Sequence, residues 1–438
     1  MTGFDQITDL SDLDGIRAVI AAQPHGAAVQ PLGIRELIIS PTATDRIVPV
    51  LKALTADASV LRPRIVLIVD TTRILRAGSD LKASVAAELR RDFELVTLEL
   101  GGDHLSADDA ALDEATAAVA GADGVVTIGG GTISDIGKVA THRGGGIPLV
   151  VVQTAASVDG FTDNVSVILR NGVKRTIDSR WPDAVIADTT TIAGAPLEMN
   201  SAGFVELLSL YTAPADWELA AIAGLDNTFN EIPRDLMLSF VGDATEWSRG
   251  LASGEIESVG QLTRMLALRG IGTGIAGTTA VLSGVEHIVS HMLDMHADAR
   301  HTPIGLHGAQ VGVAAVVGAA VWDEFARRMA DGTAELHLPT DDEAESTVRA
   351  AFASIDPTGA RGAECWSDYR KKLERMRANA GVIQAALDDW ATWGAQLAAS
   401  VPSPEYLAQA LISAGSPARP SELGTSVTAA EWEWAVTN

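Results

Sequence analysis

Short apolar runs of strand length alternate with helical stretches through the first 195 residues. Between the runs, segments such as 80–91 and 107–120 carry apolar residues at helical spacing. Strands that are apolar throughout are typical of a parallel sheet with helices on its faces. We therefore predict an α/β domain over residues 1–195. Its predicted strands are 64–70, 93–100, 123–128, 147–154 and 184–188, with 36–41 as an edge strand.

The character of the chain changes near residue 196. Ala, Leu, Glu and Trp become frequent, and runs of β-branched residues become scarce. This composition, together with helical periodicity, predicts a mostly helical second domain over residues 196–438. Its clearest predicted helices are 201–224, 234–252, 257–271 and 380–399.

Composition and charge exclude several classes of protein. The chain carries 32 Lys and Arg against 57 Asp and Glu, a net charge of −25, which opposes nucleic-acid binding. Cys365 is the only cysteine, so an intrachain disulfide and a multi-cysteine zinc site are excluded. The N-terminal residues lack an apolar signal core, and the apolar stretch 311–322 is shorter than the roughly 20 residues of a membrane span. We expect a cytoplasmic protein without a membrane span.

A run of three glycines is the first candidate for chemistry. Gly129, Gly130 and Gly131 follow the predicted strand 123–128 and precede a helix that contains Asp135 and Lys138. Glycines let a phosphate approach the backbone, and a helix N-terminus offers unpaired N–H groups. The alternative is that the glycines serve only the geometry of the turn.

Asp70 closes the predicted strand 64–70. A carboxylate at this point of a nucleotide-binding fold often binds the adenosine ribose hydroxyls and disfavours a 2′-phosphate. Asp70 therefore mildly favours NAD over NADP, although an ordinary turn aspartate is an equal alternative.

Five of the nine histidines fall between residues 287 and 307. His287 and His291 are four residues apart and share one face of a helix. A buried histidine pair either binds a metal or transfers protons. A catalytic zinc ion has three protein ligands, and His307 and the carboxylate of Glu206 are the natural additions to His287. The intervening residues His296 and His301 are expected on an exposed loop.

Five segments occur in an order that resembles the glycerol-1-phosphate dehydrogenase family. That family belongs to a larger group with 3-dehydroquinate synthases and metal-dependent alcohol dehydrogenases. The resemblance extends over residues 36–425 and implies an N-terminal nucleotide-binding domain, a helical C-terminal domain that binds metal and substrate, and an active site in the cleft between them. The segments are GGGTISDIGK, TAASVDGFTDN, AGFVELL, SGVEHIVSH and LHGAQVGV.

The resemblance also implies roles for the residues that match the family's motifs. The nicotinamide cofactor, NAD or NADP, would bind Gly129, Gly130, Gly131 and Thr132, with Asp135 and Lys138 close by, and Thr154 and Ser157 on the nicotinamide side. Asp159 would face the substrate, His291 would act in proton transfer, and a divalent metal, most simply zinc, would bind Glu206, His287 and His307.

This chain departs from the family in two places near the proposed metal ligands, the segment 203–206 and position 210. The family has a Gly-Phe-Gly-Asp segment where this chain has Gly203-Phe204-Val205-Glu206. Dehydroquinate synthases have a glutamate at the position equivalent to Glu206. Four residues later the family has a lysine suited to a substrate phosphate, and this chain has Leu210.

Three functions follow from these features. The leading hypothesis is a metal-dependent, NAD(P)-linked oxidoreductase that interconverts a secondary alcohol and a ketone on a small polyol or polyol phosphate. The second is a dehydroquinate synthase-type cyclase, a lyase that uses NAD transiently, and the third is a catalytically silent relative. The expected partner is a small-molecule substrate, and the chain is compatible with a homodimer.

Overall fold

The computed structural model describes residues 3–7, 9–58, 60–101, 105–170, 173–302, 305–424 and 427–437. The chain forms two compact units. The first unit consists of Met1–Leu207 and Asn230–Gly277, and the second unit consists of Leu208–Phe229 and Thr278–Asn438. The predicted domains 1–195 and 196–438 are defined by what each would bind, cofactor in one and metal and substrate in the other. They stay a prediction.

Among the described residues, the strands all lie in the first unit. They are β1 (Glu36–Ser40), β2 (Arg64–Asp70), β3 (Leu75–Arg76), β4 (Ser79–Asp80), β5 (Glu94–Leu100), β6 (Gly124–Gly129), β7 (Leu149–Gln153), β8 (Val165–Arg170), β9 (Val173–Asp178) and β10 (Ala184–Asp188). Six of them form a parallel sheet in the order β1-β10-β7-β6-β2-β5. The remaining four form two antiparallel pairs, β3–β4 and β8–β9.

The parallel sheet confirms the predicted α/β fold class. The central strands β6, β7 and β10 are buried along their whole length, as expected for strands covered on both faces. β1 lies at one end of the sheet, as its sequence predicts. Strands β8 and β9 are not among the predicted strands; β8 alternates buried and exposed residues and so differs from the continuous apolar runs of the sheet strands.

Helices account for most of the remaining described residues. They are α1 (Leu13–Ala22), α2 (Ile47–Leu54), α3 (Leu81–Asp92), α4 (Asp109–Val119), α5 (Gly131–Arg143), α6 (Thr189–Ala193), α7 (Leu197–Leu207), α8 (Ala213–Ile222), α9 (Glu231–Val241), α10 (Ala244–Trp247), α11 (Ile256–Ala276), α12 (Val285–Arg300), α13 (His307–Ala330), α14 (Asp341–Ala353), α15 (Ala360–Ala378), α16 (Ala380–Asp388), α17 (Trp390–Ser400), α18 (Pro404–Ser413) and α19 (Ala429–Thr437).

The helical C-terminal region is confirmed, but several predicted helices are interrupted. The predicted helix 234–252 ends at Gly242, whose φ of 59° continues a right-handed helix poorly. The predicted helix 201–224 is divided by a 3₁₀ turn, Leu208–Tyr211, after which α8 begins with Pro214 in its first turn. The predicted helix 380–399 is two helices that meet at Asp389.

Helix α13 is the longest helix of the second unit. Among the described residues it is the one helix whose length and composition would suit a membrane span, yet 56% of its apolar window is buried inside the protein. Its buried face includes Gln310, Val311 and Ala314. Core helices of soluble proteins have this same character, so no membrane span is indicated.

Candidate active site

The carboxyl ends of three neighbouring strands carry the predicted cofactor residues. Asp70 ends β2, Gly129 ends β6, and Thr154 follows β7, and these strands are adjacent in the order β7-β6-β2. The chain leaves β2 for β5 on one side and β6 for β7 on the other, so the strand order reverses between β2 and β6. Open α/β sheets bind ligands outside the carboxyl ends of the strands at such a reversal.

The three glycines of the β6–α5 turn differ in the space around them. A Cβ on Gly129 would lie 2.9 Å from Ile133 Cβ, and one on Gly131 would lie 2.9 Å from Val158 Cγ2. A Cβ on Gly130, which caps the N-terminus of α5, would meet nothing within 4 Å. Close packing therefore explains Gly129 and Gly131, whereas Gly130 leaves open space beside the helix N-terminus. Thr132 is exposed in the first turn of α5.

Asp70 is paired with a lysine that the sequence analysis did not identify. Lys82, in the first turn of α3, bonds the Asp70 carboxylate with its Nζ and also donates to the Asp70 carbonyl oxygen at 2.7 Å. Thr72 donates to the same carboxylate from its amide at 3.2 Å and from its hydroxyl at 3.0 Å. A positive charge therefore lies beside the residue expected to choose between NAD and NADP.

Lys138 is fully buried, with no exposed surface. Its Nζ donates to the Gly160 carbonyl oxygen at 2.8 Å, to Asp163 Oδ1 at 2.5 Å and to the Val165 carbonyl oxygen, and lies 3.2 Å from Asp135 Oδ1. Burial raises the pKa of Asp163 to about 7 and also raises the pKa of Asp135, against the opposing charge of the lysine. These contacts tie α5 to segment 160–165 and favour a positioning role for Lys138 and Asp135 over direct contact with a cofactor.

Segment 155–163, which carries Ser157 and Asp159, is held between two helices. On α7, Asn200 Oδ1 accepts the Ala156 amide at 3.0 Å. A Cβ on Gly203 of the same helix would lie 1.9 Å from the Ala156 carbonyl oxygen, and a Cβ on Gly270 of α11 would lie 2.5 Å from the Asp159 carbonyl oxygen. Glycine is therefore required where each helix meets the segment.

An arginine joins two of the predicted site carboxylates. Arg269 on α11 is 2% exposed, and its Nη1 donates to Glu206 Oε1 at 2.9 Å and lies 3.4 Å from Asp159 Oδ2. A buried guanidinium requires anionic partners. Asp159, Glu206 and Arg269 therefore form one charged cluster in the first unit, and Arg269 was missed because it lies 63 residues from its closer partner.

The three predicted histidines form a cluster in the second unit. The ring centroids of His287 and His307 are 5.4 Å apart, and His291 stacks on His307 at 6.0 Å with 18° between the ring planes. His287 is buried and His291 is exposed. The structure therefore brings together His287 and His291 of α12 and His307, the first residue of α13, as predicted. His301 is exposed as expected, but His296 is buried beside Glu431 at 3.3 Å, because α19 packs on α12.

Each of the two proposed histidine ligands has an oxygen partner at Nδ1. Glu286 Oε1 lies 2.9 Å from His287 Nδ1, and Ser290 Oγ lies 2.9 Å from His307 Nδ1. Glu286 and Ser290 have no exposed surface. The sequence analysis missed both residues, although the Glu directly before His287 in SGVEH was an available signal.

Known proteins resemble this chain in both sequence and fold. A family model described as iron-containing alcohol dehydrogenase matches residues 39–196. The glycerol-1-phosphate dehydrogenase (NAD(P)+) of Haloquadratum walsbyi is 35% identical over 262 residues, 59% of this chain and 68% of that protein. The enzymes of the same name from Bacillus velezensis and Pyrococcus furiosus are each 33% identical, over 47% and 49% of this chain, and the matched stretches span 51% and 60% of those proteins.

Two solved structures share the fold. Maleylacetate reductase from Rhizobium superposes with a TM-score of 0.53 at 16% identity, covering 93% of this chain and 96% of that chain. Glycerol dehydrogenase from Schizosaccharomyces pombe superposes with a TM-score of 0.53 at 14% identity, covering 80% and 92%. These structures support the fold assignment, and the sequence matches support the family assignment. The chain belongs to the glycerol-1-phosphate dehydrogenase family, as its motifs predicted, and this is a family of metal-containing, NAD(P)-linked dehydrogenases.

Proposed function

We propose that this protein is a metal-dependent, NAD(P)-linked oxidoreductase that interconverts a secondary alcohol and a ketone on a small polyol or polyol phosphate. Beyond the family assignment, one observation carries the proposal. The ring centroids of His287 and His307 are 5.4 Å apart, and an oxygen atom lies within hydrogen-bond distance of Nδ1 of each ring. Imidazoles held in this way are typical of metal ligands.

The proposed metal ligands are Glu206, His287 and His307. One carboxylate and two imidazoles form a donor set that catalytic zinc ions use, with a further position open for a substrate oxygen. The same donor types also suit iron, so the identity of the metal is tested by loading rather than read from the residues. We propose zinc.

The proposed cofactor site begins at the N-terminus of α5. The open space at Gly130 and the reversal of strand order beside it support binding of the pyrophosphate by Gly129, Gly130, Gly131 and Thr132. Asp70 would bind the adenosine ribose. Thr154 and Ser157 would contact the nicotinamide side.

When bound, the metal supplies a Lewis acid for the carbonyl oxygen and the nicotinamide supplies the hydride. Among the protein's own residues, Asp159 would orient the substrate, and His291, directly or through a water molecule, would give the proton that the product hydroxyl gains. The exposure of the His291 ring supports proton exchange with solvent.

Whether the substrate carries a phosphate depends on position 210. Leu210, buried in the 3₁₀ turn that precedes α8, stands where the family has a lysine suited to a phosphate. Loss of one charge-assisted contact to a phosphate weakens binding by about 1.5–3 kcal/mol. Both phosphorylated and unphosphorylated ketones are therefore needed as substrates in the assay.

Absorbance at 340 nm tests the proposal directly. Zinc-loaded and iron-loaded protein are mixed with NADH or NADPH and either dihydroxyacetone phosphate or dihydroxyacetone. We expect steady oxidation with one of the ketones, abolished in His287→Ala and retained in His337→Ala, which replaces an exposed histidine of the same unit. Protein that binds neither metal nor NADH would refute the proposal.

The cyclase alternative is favoured by one observation, the glutamate at position 206. A cyclase returns its cofactor oxidised, so it converts a substrate without net consumption of NADH. Product formation at constant absorbance would therefore select the cyclase. The cytoplasmic location and the homodimer stay predictions, tested by cell fractionation and by light scattering of the purified protein.

A further inference from the structure

The second unit supplies an oxygen partner for Nδ1 of both His287 and His307. We propose that Glu286 and the pair Ser290–Gln310 are positioning residues that hold both imidazoles in the Nδ1–H tautomer, so that Nε2 of each ring is the metal-binding nitrogen. The inference rests on the proposed function for the metal. The tautomer itself is a property of the metal-free protein.

The contacts of Glu286 determine which way the bond to His287 runs. Glu286 Oε1 accepts the Gly284 amide at 2.7 Å and lies 2.9 Å from His287 Nδ1, while Oε2 accepts the Thr212 hydroxyl at 2.9 Å. A carboxylate has no hydrogen to donate and has lone pairs left beside these two bonds, so Glu286 acts as the acceptor toward the imidazole. The hydrogen therefore lies on Nδ1 of His287.

The contacts of Ser290 lead to the same result for His307. The Ser290 hydroxyl donates its single hydrogen to Gln310 Oε1 at 2.8 Å, and its oxygen lies 2.9 Å from His307 Nδ1. Since the hydroxyl hydrogen is committed to Gln310, the serine oxygen accepts from the imidazole. His307 therefore also carries its hydrogen on Nδ1.

The start of α12 is held so that Glu286 cannot move away from His287. Asp216 on α8 accepts the Val285 amide at 3.0 Å with Oδ2 and the Trp322 indole N–H at 2.8 Å with Oδ1. A Cβ on Gly284 would lie 2.5 Å from Asp216 Oδ2 and 2.9 Å from Glu286 Oε2, so a side chain at this position would displace the two carboxylates. The hydrogen bonds of Asp216 and the close packing at Gly284 together orient the Glu286 carboxylate toward the ring.

Positioning of this kind has a measurable consequence for metal binding. A carboxylate at Nδ1 orients the imidazole and raises the basicity of its other nitrogen, and loss of such a partner typically lowers metal affinity 10–100-fold. Glu286 provides this charged partner for His287, whereas Ser290 provides a neutral one for His307. Removal of Glu286 should therefore have the larger effect.

The experiment measures tautomer and metal affinity separately. Metal-free protein labelled with ¹⁵N-histidine gives the tautomer of each ring from two-bond ¹H–¹⁵N correlation spectra, assigned with the single variants His287→Ala and His307→Ala. Zinc affinity is measured by competition with a chelating dye for wild type, Glu286→Ala, Glu286→Gln and Ser290→Ala. Glu335→Gln is the matched control, because it replaces an exposed glutamate of the same unit.

We expect the Nδ1–H form for both rings in wild type, a 10–100-fold loss of zinc affinity in Glu286→Ala and a smaller loss in Ser290→Ala. Glu286→Gln, which keeps an acceptor oxygen, should restore the tautomer and part of the affinity, and Glu335→Gln should keep both. A hydrogen on Nε2 of either ring in folded wild type would overturn the inference. Zinc affinity that is unchanged both in Ser290→Ala and in a Glu286→Ala variant shown to be folded would also overturn it. Wild-type protein that binds no zinc or iron would overturn the proposed function, while the tautomers would still decide the hydrogen-bond assignment.

Discussion

Replacement of Gly203 by alanine should disturb both the stability of the first unit and the alignment of its charged cluster. Gly203 is the point at which α7 meets segment 155–163, and a Cβ there would lie 1.9 Å from the Ala156 carbonyl oxygen and 2.8 Å from the Ala156 carbonyl carbon. Both atoms belong to the backbone, so no side-chain rotation relieves the overlap. α7 carries Glu206 one turn further on, and the segment carries Asp159.

The size of the effect follows from the overlap. A carbon atom normally approaches a carbonyl oxygen no closer than about 3.3 Å, so the helix and the segment must separate by about 1.4 Å. Overpacking of a buried contact costs about 1–3 kcal/mol, and an overlap with backbone belongs at the upper end. Displacement of reacting groups by about 1 Å lowers kcat/KM about 100-fold. We expect a loss of about 3 kcal/mol in the free energy of unfolding and a loss of about 100-fold in kcat/KM.

Urea denaturation followed by circular dichroism measures the first quantity, and the 340 nm assay measures the second. Gly381→Ala is the matched control, because nothing lies within 4 Å of a Cβ at that position of α16, and the variant should be at least as stable as wild type. If Gly203→Ala unfolds at the same urea concentration as wild type, the close approach of α7 to Ala156 is not a feature of the folded protein.

Three further predictions concern the cofactor turn and the buried lysine. Gly130→Ala should change stability by less than about 1 kcal/mol but weaken NADH binding, measured by fluorescence titration, because its Cβ fills the open space beside α5; unchanged affinity would contradict a pyrophosphate there. Lys138→Met should lower the free energy of unfolding by about 3–5 kcal/mol, since it leaves buried carboxylates without their cation. Lys52→Met, which breaks an exposed 2.8 Å pair with Asp92, should lower it by no more than about 1 kcal/mol. Equal losses in the two variants would refute the claim that burial makes the Lys138 pairing the more important. Because burial raises the pKa of Asp163 to about 7, the folded state holds this proton more tightly than the unfolded state, so the contribution of Asp163 to stability is present below about pH 4 and is lost as the pH rises to 7. The difference in stability between wild type and Asp163→Asn should therefore fall across that range, and a difference independent of pH would show that Asp163 is already ionised at low pH.

Local sequence pattern was sufficient for the parallel sheet and for the elements that carry the chemistry. The apolar run 64–70 coincides with β2, and the predicted strand 123–128 lies within one residue of β6 at either end, because strands buried on both faces need continuous apolar residues. The spacing of four residues likewise predicted that His287 and His291 lie on one helix. Motif order then identified the family.

The interactions that orient the candidate site residues could not be predicted in this way. Arg269 and Glu206 are 63 residues apart, and Glu286 and Thr212 are 74 apart, so only the packing of separate helices makes them neighbours. The same is true of Lys138, whose ammonium is buried among Asp163 and backbone carbonyls, partners that its sequence position did not indicate. Sequence alone thus determined the fold class and the family, and it proposed the candidate site residues, because these depend on local periodicity and motif. Tertiary structure decided which partner each side chain has, because a buried charge or imidazole must be paired, and its partner comes from wherever the packed chain brings a complementary group.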